Sequence, residues 1–423
     1  MDTSVVRQAI LDEQDNVIGY EIIYKEDDGS LFNRTDTVAA NAIENFLTSI
    51  DSEKFLSGKT AYFTFTPNLL LKDIPRIFNA KKLVIQVEEN SIIHPLAHKA
   101  IYHFKKMGYQ IAVKGFEFNS RYFTIMDVVD TIKLDFSDVS DKNRLKNIID
   151  VAKNLNKTVI AYNVNSRKAY ENTKEFGCRY KQGTYIAEAQ ASNVSRLDHL
   201  QSNFFQLVVE ITKDDPNIDA ITEIISRDVT LAFSLIKLVN SAYFALRNRV
   251  KSVKQALIVL GLGQLKQWVY LLSFRQNLGR TPNELIRISF LRASFCAELN
   301  QFVPQSPISR SEAYLLGMFS TLGVLLDVPL EKSLEELSIS DEIKQGLLYG
   351  TGKTGILMNL VRSYEKADWQ GVMNCAGQLR LPYNLVSQKY IECVDYVNEI
   401  WNQLMVPYRL ESDEDEITDT TDE

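Results

Sequence analysis

Between Thr60 and Ile186 the chain reads AYFTF (61–65), LVIQV (83–87), QIAV (110–113), TIKLD (131–135), TVIAY (158–162) and GTYI (183–186). These are six β-rich runs about 20 to 30 residues apart, a spacing that leaves room for a helix between consecutive strands. The intervening segments supply helices. From His94 to Met107 and from Lys142 to Leu155 the apolar residues recur with a helical period, not a two-residue one. Alternation of this kind predicts a parallel sheet covered by helices. The preceding segment VVRQAILDEQDNVIGYEIIY (5–24) adds one or two strands. The fold class expected is therefore α/β plus all-α, an N-terminal (β/α)8-like barrel followed by an irregular helical bundle. In such a barrel chemistry sits at the carboxyl ends of the strands.

After about Leu200 the β-rich runs stop. Helical periods take over, as in Val229–Leu238, Ser252–Leu260 and Leu285–Asn300, with Pro304, Pro307, Pro329 and Pro382 between them where helix breakers belong. A length of 423 residues suits two cores. The boundaries read as 1–195 for the barrel, 196–408 for the bundle and 409–423 for a solvated, disordered tail.

Charge and composition narrow the function. The net charge of −7 is misleading, because Glu411–Glu423 carries eight acidic residues and no basic ones, which leaves a nearly neutral body. No broad basic field for nucleic acid results. The longest mostly apolar stretch, Ala313–Leu326, is shorter than the roughly 20 residues that span a bilayer, so no membrane insertion is expected. The N-terminus has no basic region followed by an apolar run, and a cytoplasmic location follows as an expectation. Cys178, Cys296, Cys375 and Cys393 form no CxxC pair and read as reduced core thiols.

The opening RQAILDEQDNVIGYEIIYK (7–25) resembles the start of EAL domains, the cyclic di-GMP phosphodiesterases, in the branch that often carries a C-terminal HDOD domain. The family motif Glu-Ala-Leu-x-Arg here reads Glu21-Ile22-Ile23-Tyr24-Lys25. AYFTFTPNLL, LVIQVEEN, GYQIAVKGFEF, TIKLDFS, TVIAYNVNS and YKQGTYIAEA resemble successive strand-end blocks of the family, in order, over about the first 190 residues. The resemblance implies a two-metal phosphodiesterase site in which carboxylates and an Asn hold divalent ions. Of those positions Glu21 survives, with Lys133 and Gln182 beside it. The Asn position is Thr64, the next Glu is Gln86, the Asp pair is Lys114-Gly115, and two later glutamates are Tyr162 and Asn165. Lys114 would stand where a dication belongs. At about 4 Å and an effective dielectric of about 20, that repulsion is about 8 kcal/mol. Metal-dependent hydrolysis is not expected, and no cofactor is implied. Lys114 and Lys133 could still meet a phosphate directly, which makes cyclic di-GMP a candidate ligand, although Lys25 in place of the motif's Arg removes a bidentate fork.

IISRDVTLAFSLIKLVNSAYF and VKSVKQALIVLGLGQLKQWV, within Ile224–Val269, resemble the HDOD domain, a relative of HD phosphohydrolases. Asn240, Ser241 and Ala242 lie in its most recognisable motif, and GKTGILMNLVRSYEKADWQ extends the likeness to about residue 395. The His-Asp pair of HD enzymes corresponds to Ser320 and Thr321. All four histidines, His94, His98, His103 and His199, precede these motifs, so an HD-type metal centre lacks its imidazoles.

Other signals have plainer explanations. His94 and His98 share an i, i+4 spacing but no HExxH glutamate. Gly350–Gly355 looks like a phosphate loop, yet position 347 is Leu and no strand precedes it, so it reads as a turn between helices, as does Gly261-Leu262-Gly263. No GxSxG elbow is present. The expected role is that of a catalytically inactive scaffold or adaptor that binds other signalling proteins, with cyclic di-GMP networks, motility and biofilm as the setting implied by resemblance. A non-hydrolysing cyclic di-GMP receptor is the alternative, and residual phosphodiesterase activity the least favoured reading.

Overall fold

The computed structural model describes residues 5–24, 55–88, 95–116, 125–137, 142–185, 199–213, 215–227, 229–240, 250–275, 283–326, 329–335, 337 and 339–399. Lys25, His94, Ser241, Ala242, residues 186–198 and the acidic tail lie outside this set. The chain folds as two compact units, Met1–Ala189 with Leu360–Glu392, and Gln190–Asn359 with Cys393–Glu423.

The first unit is a closed barrel in the order β1(Val5–Leu11), β2(Val17–Tyr24), β3(Thr60–Thr64), β4(Leu83–Glu88), β5(Gln110–Lys114), β6(Thr131–Asp135), β7(Thr158–Tyr162) and β8(Tyr180–Gln182). Strands β2 to β8 are parallel, as expected, but β1 runs antiparallel to both of its neighbours. The reason is local. Only five residues join β1 to β2, too few for a crossover. Asp12 closes them into a turn by accepting the Gln14 and Asn16 amides at 2.9 and 2.8 Å, and Asp15 takes a left-handed φ of 64°.

The strand expected at 183–186 lies instead at 180–182. At Gly183 the chain crosses the end of β7 so closely that a Cβ would stand 2.3 Å from the Val164 carbonyl oxygen, and only glycine passes there. The helices α1(Pro67–Leu71), α2(Pro95–Lys106), α3(Lys142–Asn154) and α4(Arg167–Glu175) cover the barrel, and Thr66 and Ser166 cap α1 and α4 with their side-chain oxygens.

Alternation along the strands sorts the interior into layers. Ile10, Tyr62, Val84, Ala112 and Ile160 form an apolar cluster at the amino ends of the parallel strands. Two residues further along, or two back on the antiparallel β1, the same inward faces carry Gln8, Thr64, Gln86, Lys114 and Tyr162.

The second unit is helical: α5(His199–Thr212), α6(Ile218–Ser226), α7(Val229–Val239), α8(Val253–Arg275), α9(Asn283–Asn300), α10(Arg310–Phe319), α11(Leu322–Leu326), α12(Leu330–Glu335), α13(Asp341–Tyr349) and the first part of α14(Gly352–Glu365). Gly261, with φ 69°, breaks α8 where the sequence places a turn. Gly350 ends α13 in the left-handed conformation, as a turn between helices requires. Ser309 and Glu312 form a reciprocal capping box at the start of α10. Asn240 donates to the Val250 carbonyl and accepts from the Val250 amide, both at 2.8 Å, which ties the two ends of the segment between α7 and α8.

The end of α14, α15(Trp369–Leu379) and most of α16 (residues 383–399) fold with the barrel, although the sequence assigns 360–392 to a bundle spanning 196–408. Their anchors are aromatic. Tyr364 and Tyr390 are buried, their ring centroids are 4.6 Å apart, and both hydroxyls bond the backbone of β1.

Helices α9 and α10 meet at Gly317, where a Cβ would stand 2.2 Å from the Arg292 carbonyl oxygen. Gly317→Ala is therefore expected to force these helices apart and to lower the stability of the second unit by about 1–3 kcal/mol, read as a lower urea midpoint.

Candidate functional site

Parallel strands present their carboxyl ends on one side of the barrel, and the inward positions there converge on Glu21 of β2. Glu21 is 1% exposed. Lys114 of β5 donates to Oε1 at 2.8 Å, and Lys133 of β6 donates to Oε2 at 2.8 Å. Gln86 of β4 donates to Oε1 at 2.8 Å and to Thr64 Oγ1 at 2.7 Å. Gln182 of β8 donates to Oε2 and accepts from Lys133 at 2.7 Å. Tyr162 of β7 lies beside both lysines, 5.4 Å from Lys114 Nζ and 5.9 Å from Lys133 Nζ to the ring centroid. Register explains the convergence: Glu21 faces Gln8 and Tyr62, Thr64 faces Gln86, and Lys114 faces Lys133 on the shared inner surface.

The charges set one another. Burial alone would raise the Glu21 carboxyl, but the charges of Lys133 and then Lys114, with a hydrogen bond from each, hold it well below the usual carboxylate range. Burial pushes Lys133 down to about 8; Glu21 pulls against this and Lys114 adds to it. Burial also lowers Lys114, yet Glu21, Glu88 and Asp135 together leave it raised. Tyr162 is raised by burial and then by the charge and hydrogen bond of Asp135, so its hydroxyl stays protonated.

This donor set does not fit a divalent ion. Among the described residues Glu21 is the carboxylate that bonds the two lysines, and each of its oxygens already receives an ammonium and an amide. Gln86 and Thr64 are neutral, and the Gln86 amide turns its N–H groups inward. Gly115, expected at the second position of the family's Asp pair, has a φ of 72° and carries no ligand group. Asn165 is not part of the cluster; its side-chain oxygen accepts from the Thr184 amide at 2.9 Å and so fixes the chain after β8. Among the described residues no three His, Cys, Asp or Glu side chains gather as metal ligands.

Sequence reasoning missed Gln8. Its Oε1 accepts from Gln182 at 3.0 Å, and its Nε2 donates to the Glu365 carbonyl at 3.1 Å. The two-residue alternation with Ile10 was the available signal.

In the helical unit Ser320 ends α10. Its hydroxyl donates to the Gly317 carbonyl at 2.7 Å and accepts from Arg292 at 3.1 Å, with Arg292 fully buried. Thr321 bonds Ser289 and the Met318 carbonyl. The two positions expected to correspond to the HD dyad thus hold two hydroxyls, with a guanidinium beside them.

A closed barrel with a strand-end polar cluster on β2 to β8, joined to a helical unit, defines the class. The EAL domain model matches residues 43–189 and the HDOD domain model residues 197–339. The chain therefore carries an EAL domain followed by an HDOD domain. It is similar to the uncharacterized protein YuxH of Bacillus subtilis, 29% identical over 390 residues, which span 90% of this chain and 94% of that protein. It is also similar to the cyclic di-GMP phosphodiesterase CdgJ of Vibrio cholerae, 24% identical over 403 residues, 94% and 93% of the two chains. Among solved structures, the EAL domain of FimX from Pseudomonas aeruginosa bound to c-di-GMP is 18% identical, covering 44% of this chain and 89% of that one with a TM-score of 0.35. An EAL domain protein from Listeria monocytogenes is likewise 18% identical, covering 44% and 87%, with a TM-score of 0.35. No described helix is long and apolar enough to cross a membrane.

Glu21→Gln leaves two lysines buried against each other and is expected to cost about 3–5 kcal/mol of stability near pH 6 by urea unfolding. The pH dependence has a definite sign. A depressed folded carboxyl contributes stability above its unfolded value of about 4.3 that is lost as pH falls below it. In the variant Lys133 sheds its proton below 8, so the variant gains stability with rising pH where the wild type is flat. The gap between the two proteins should therefore peak near pH 5–6 and narrow on either side.

Proposed function

We propose that this chain is a catalytically inactive EAL-HDOD protein that acts as a scaffold or adaptor, binding other signalling proteins within cyclic di-GMP regulation of motility or biofilm. One observation carries the reading: each oxygen of Glu21 receives a lysine ammonium at 2.8 Å. A carboxylate neutralised in this way has no charge left for a dication, and the lysines supply fixed positive charge in its stead. The Ser320–Thr321 pair supports the same reading for the helical domain, because hydroxyls bonded to Gly317, Met318, Ser289 and Arg292 replace ionisable ligands. CdgJ carries the name of a phosphodiesterase, but at 24% identity that activity does not transfer to a chain whose metal positions read Thr64, Gln86, Lys114 and Gly115.

A second reading, a non-hydrolysing cyclic di-GMP receptor, draws on Lys114. Its side chain is 25% exposed at the barrel rim beside Tyr162, while Gln86 Oε1 below it is buried without a hydrogen-bond partner. An ammonium, an aromatic ring and an open acceptor are the groups that would meet a phosphate and a base.

Calorimetric titration of the full chain with cyclic di-GMP, with and without magnesium, followed by chromatography for the linear product, separates the readings. The scaffold reading expects neither heat nor product. Saturable binding without product, weakened at least about tenfold in Lys114→Ala and insensitive to magnesium, would establish the receptor. Magnesium-dependent product that disappears in Glu21→Ala would overturn both.

A further inference from the structure

The near neutrality of the body is an average over an uneven chain. From Val229 to Asn283 there is no acidic residue and there are eight basic ones, whereas Glu411–Glu423 has eight acidic residues and no basic one. Both stretches fall within the helical unit. The basic stretch also presents an apolar face. Along α8 Leu257, Leu260 and Leu265 are buried, but Ile258 is 70% exposed and Val259 and Leu262 are exposed beside it, where an amphipathic helix ordinarily keeps polar residues. Gly261 breaks the helix between them, and a Cβ built on Gly261 or Gly263 would meet nothing within 4 Å, so this face is open to approach. Lys251 and Lys254 stand at its near end, both exposed. Lys254 pairs with Asp219, itself well exposed, and such a surface pair holds its cation only weakly. The first turn of α8 adds its own preference for anions. Exposed apolar side chains beside cations are the makings of an interaction face.

We propose that the acidic tail Glu411–Glu423 docks on this face of α8, with Ile417 against Ile258, Val259 and Leu262 and the carboxylates around it against Lys251 and Lys254, so that a partner segment of the same chemistry must displace it. The tail matches the face in both respects. Ile417 is its one apolar residue, and the four residues before it, Asp413 to Glu416, are all acidic. The tether is long enough. Glu411 lies 12 residues past Glu399, the last described residue, and that length spans up to about 40 Å, about the diameter of a unit of this size. Attachment to the same chain raises the local concentration of the tail to about the millimolar range, so a contact too weak to hold a free peptide suffices.

The test uses the full chain. Carbodiimide joins carboxylates to lysine amines that are already in contact, and mass spectrometry of the tryptic peptides reads the pairs. Expected are tail cross-links to Lys251 and Lys254 several-fold more abundant than to Lys213 and Lys332, exposed lysines of the same unit. These cross-links should fade as salt rises from about 0.01 M to about 1 M, which shortens the screening length from about 30 Å to about 3 Å. In a second measurement a labelled peptide with the sequence of Leu410–Glu423 is titrated by fluorescence anisotropy into the wild type and into a full-length variant whose eight tail carboxylates are amides. The variant, its α8 face uncovered, should bind the peptide at least about tenfold more tightly than the wild type. Adding Lys251→Glu/Lys254→Glu or Ile258→Ser, all at exposed positions, should remove most of that gain. Tail cross-links spread evenly over the surface lysines, equal binding of the peptide to the two proteins, or binding untouched by those substitutions would each overturn the proposal.

Discussion

The structure depends on an anion shared by two lysines. Glu21, Lys114 and Lys133 stand on three strands, are wholly or largely buried, and are held at 2.8 Å. None could be buried alone, because an isolated ion in a low-dielectric interior costs far more than one hydrogen bond returns. Together with Gln86 and Gln182 they form a nearly saturated network that fills the volume above the apolar layer of Ile10, Tyr62, Val84, Ala112 and Ile160. The polar layer thus acts as part of the core, and the register of β2 against β5 and β6 is bound up with it.

The same device recurs in the helical unit. Arg292 is fully buried and bonds Ser320. In both units a covalently attached cation, Lys133 in one and Arg292 in the other, is fully buried against hydrogen-bond acceptors. An attached cation supplies charge and packing without Lewis acidity and without an open coordination position. The charged groups are thereby locked to one another and to the cores around them.

The layers of the barrel were legible in the sequence because strand alternation is a local property. The inward positions Thr64, Gln86, Lys114, Lys133 and Tyr162 can be read from the β-rich runs, and their counterparts in the EAL family point to the same site. Three things were not legible. The antiparallel course of β1 rests on the five-residue turn clasped by Asp12, and β8 stops at 182 because Gly183 must slip past Val164. The third is the partner of Gln8: alternation with Ile10 sets it on the inner face, but only antiparallel pairing places it opposite Glu21. The return of residues 360–392 to the barrel is of the same kind, since nothing local in Tyr364 or Tyr390 tells which core will bury them.

By itself the sequence determined the two classes of structure and their order, because strand and helix periods are properties of neighbouring residues. Only the tertiary structure decided what the replacements do. In sequence Lys114 and Lys133 are strand-end lysines that could meet a phosphate; folding sets both on Glu21, with Lys133 fully buried and the Lys114 side chain 25% exposed. Whether a charge is offered to a ligand or consumed by a partner depends on distances across the barrel, which no local pattern encodes.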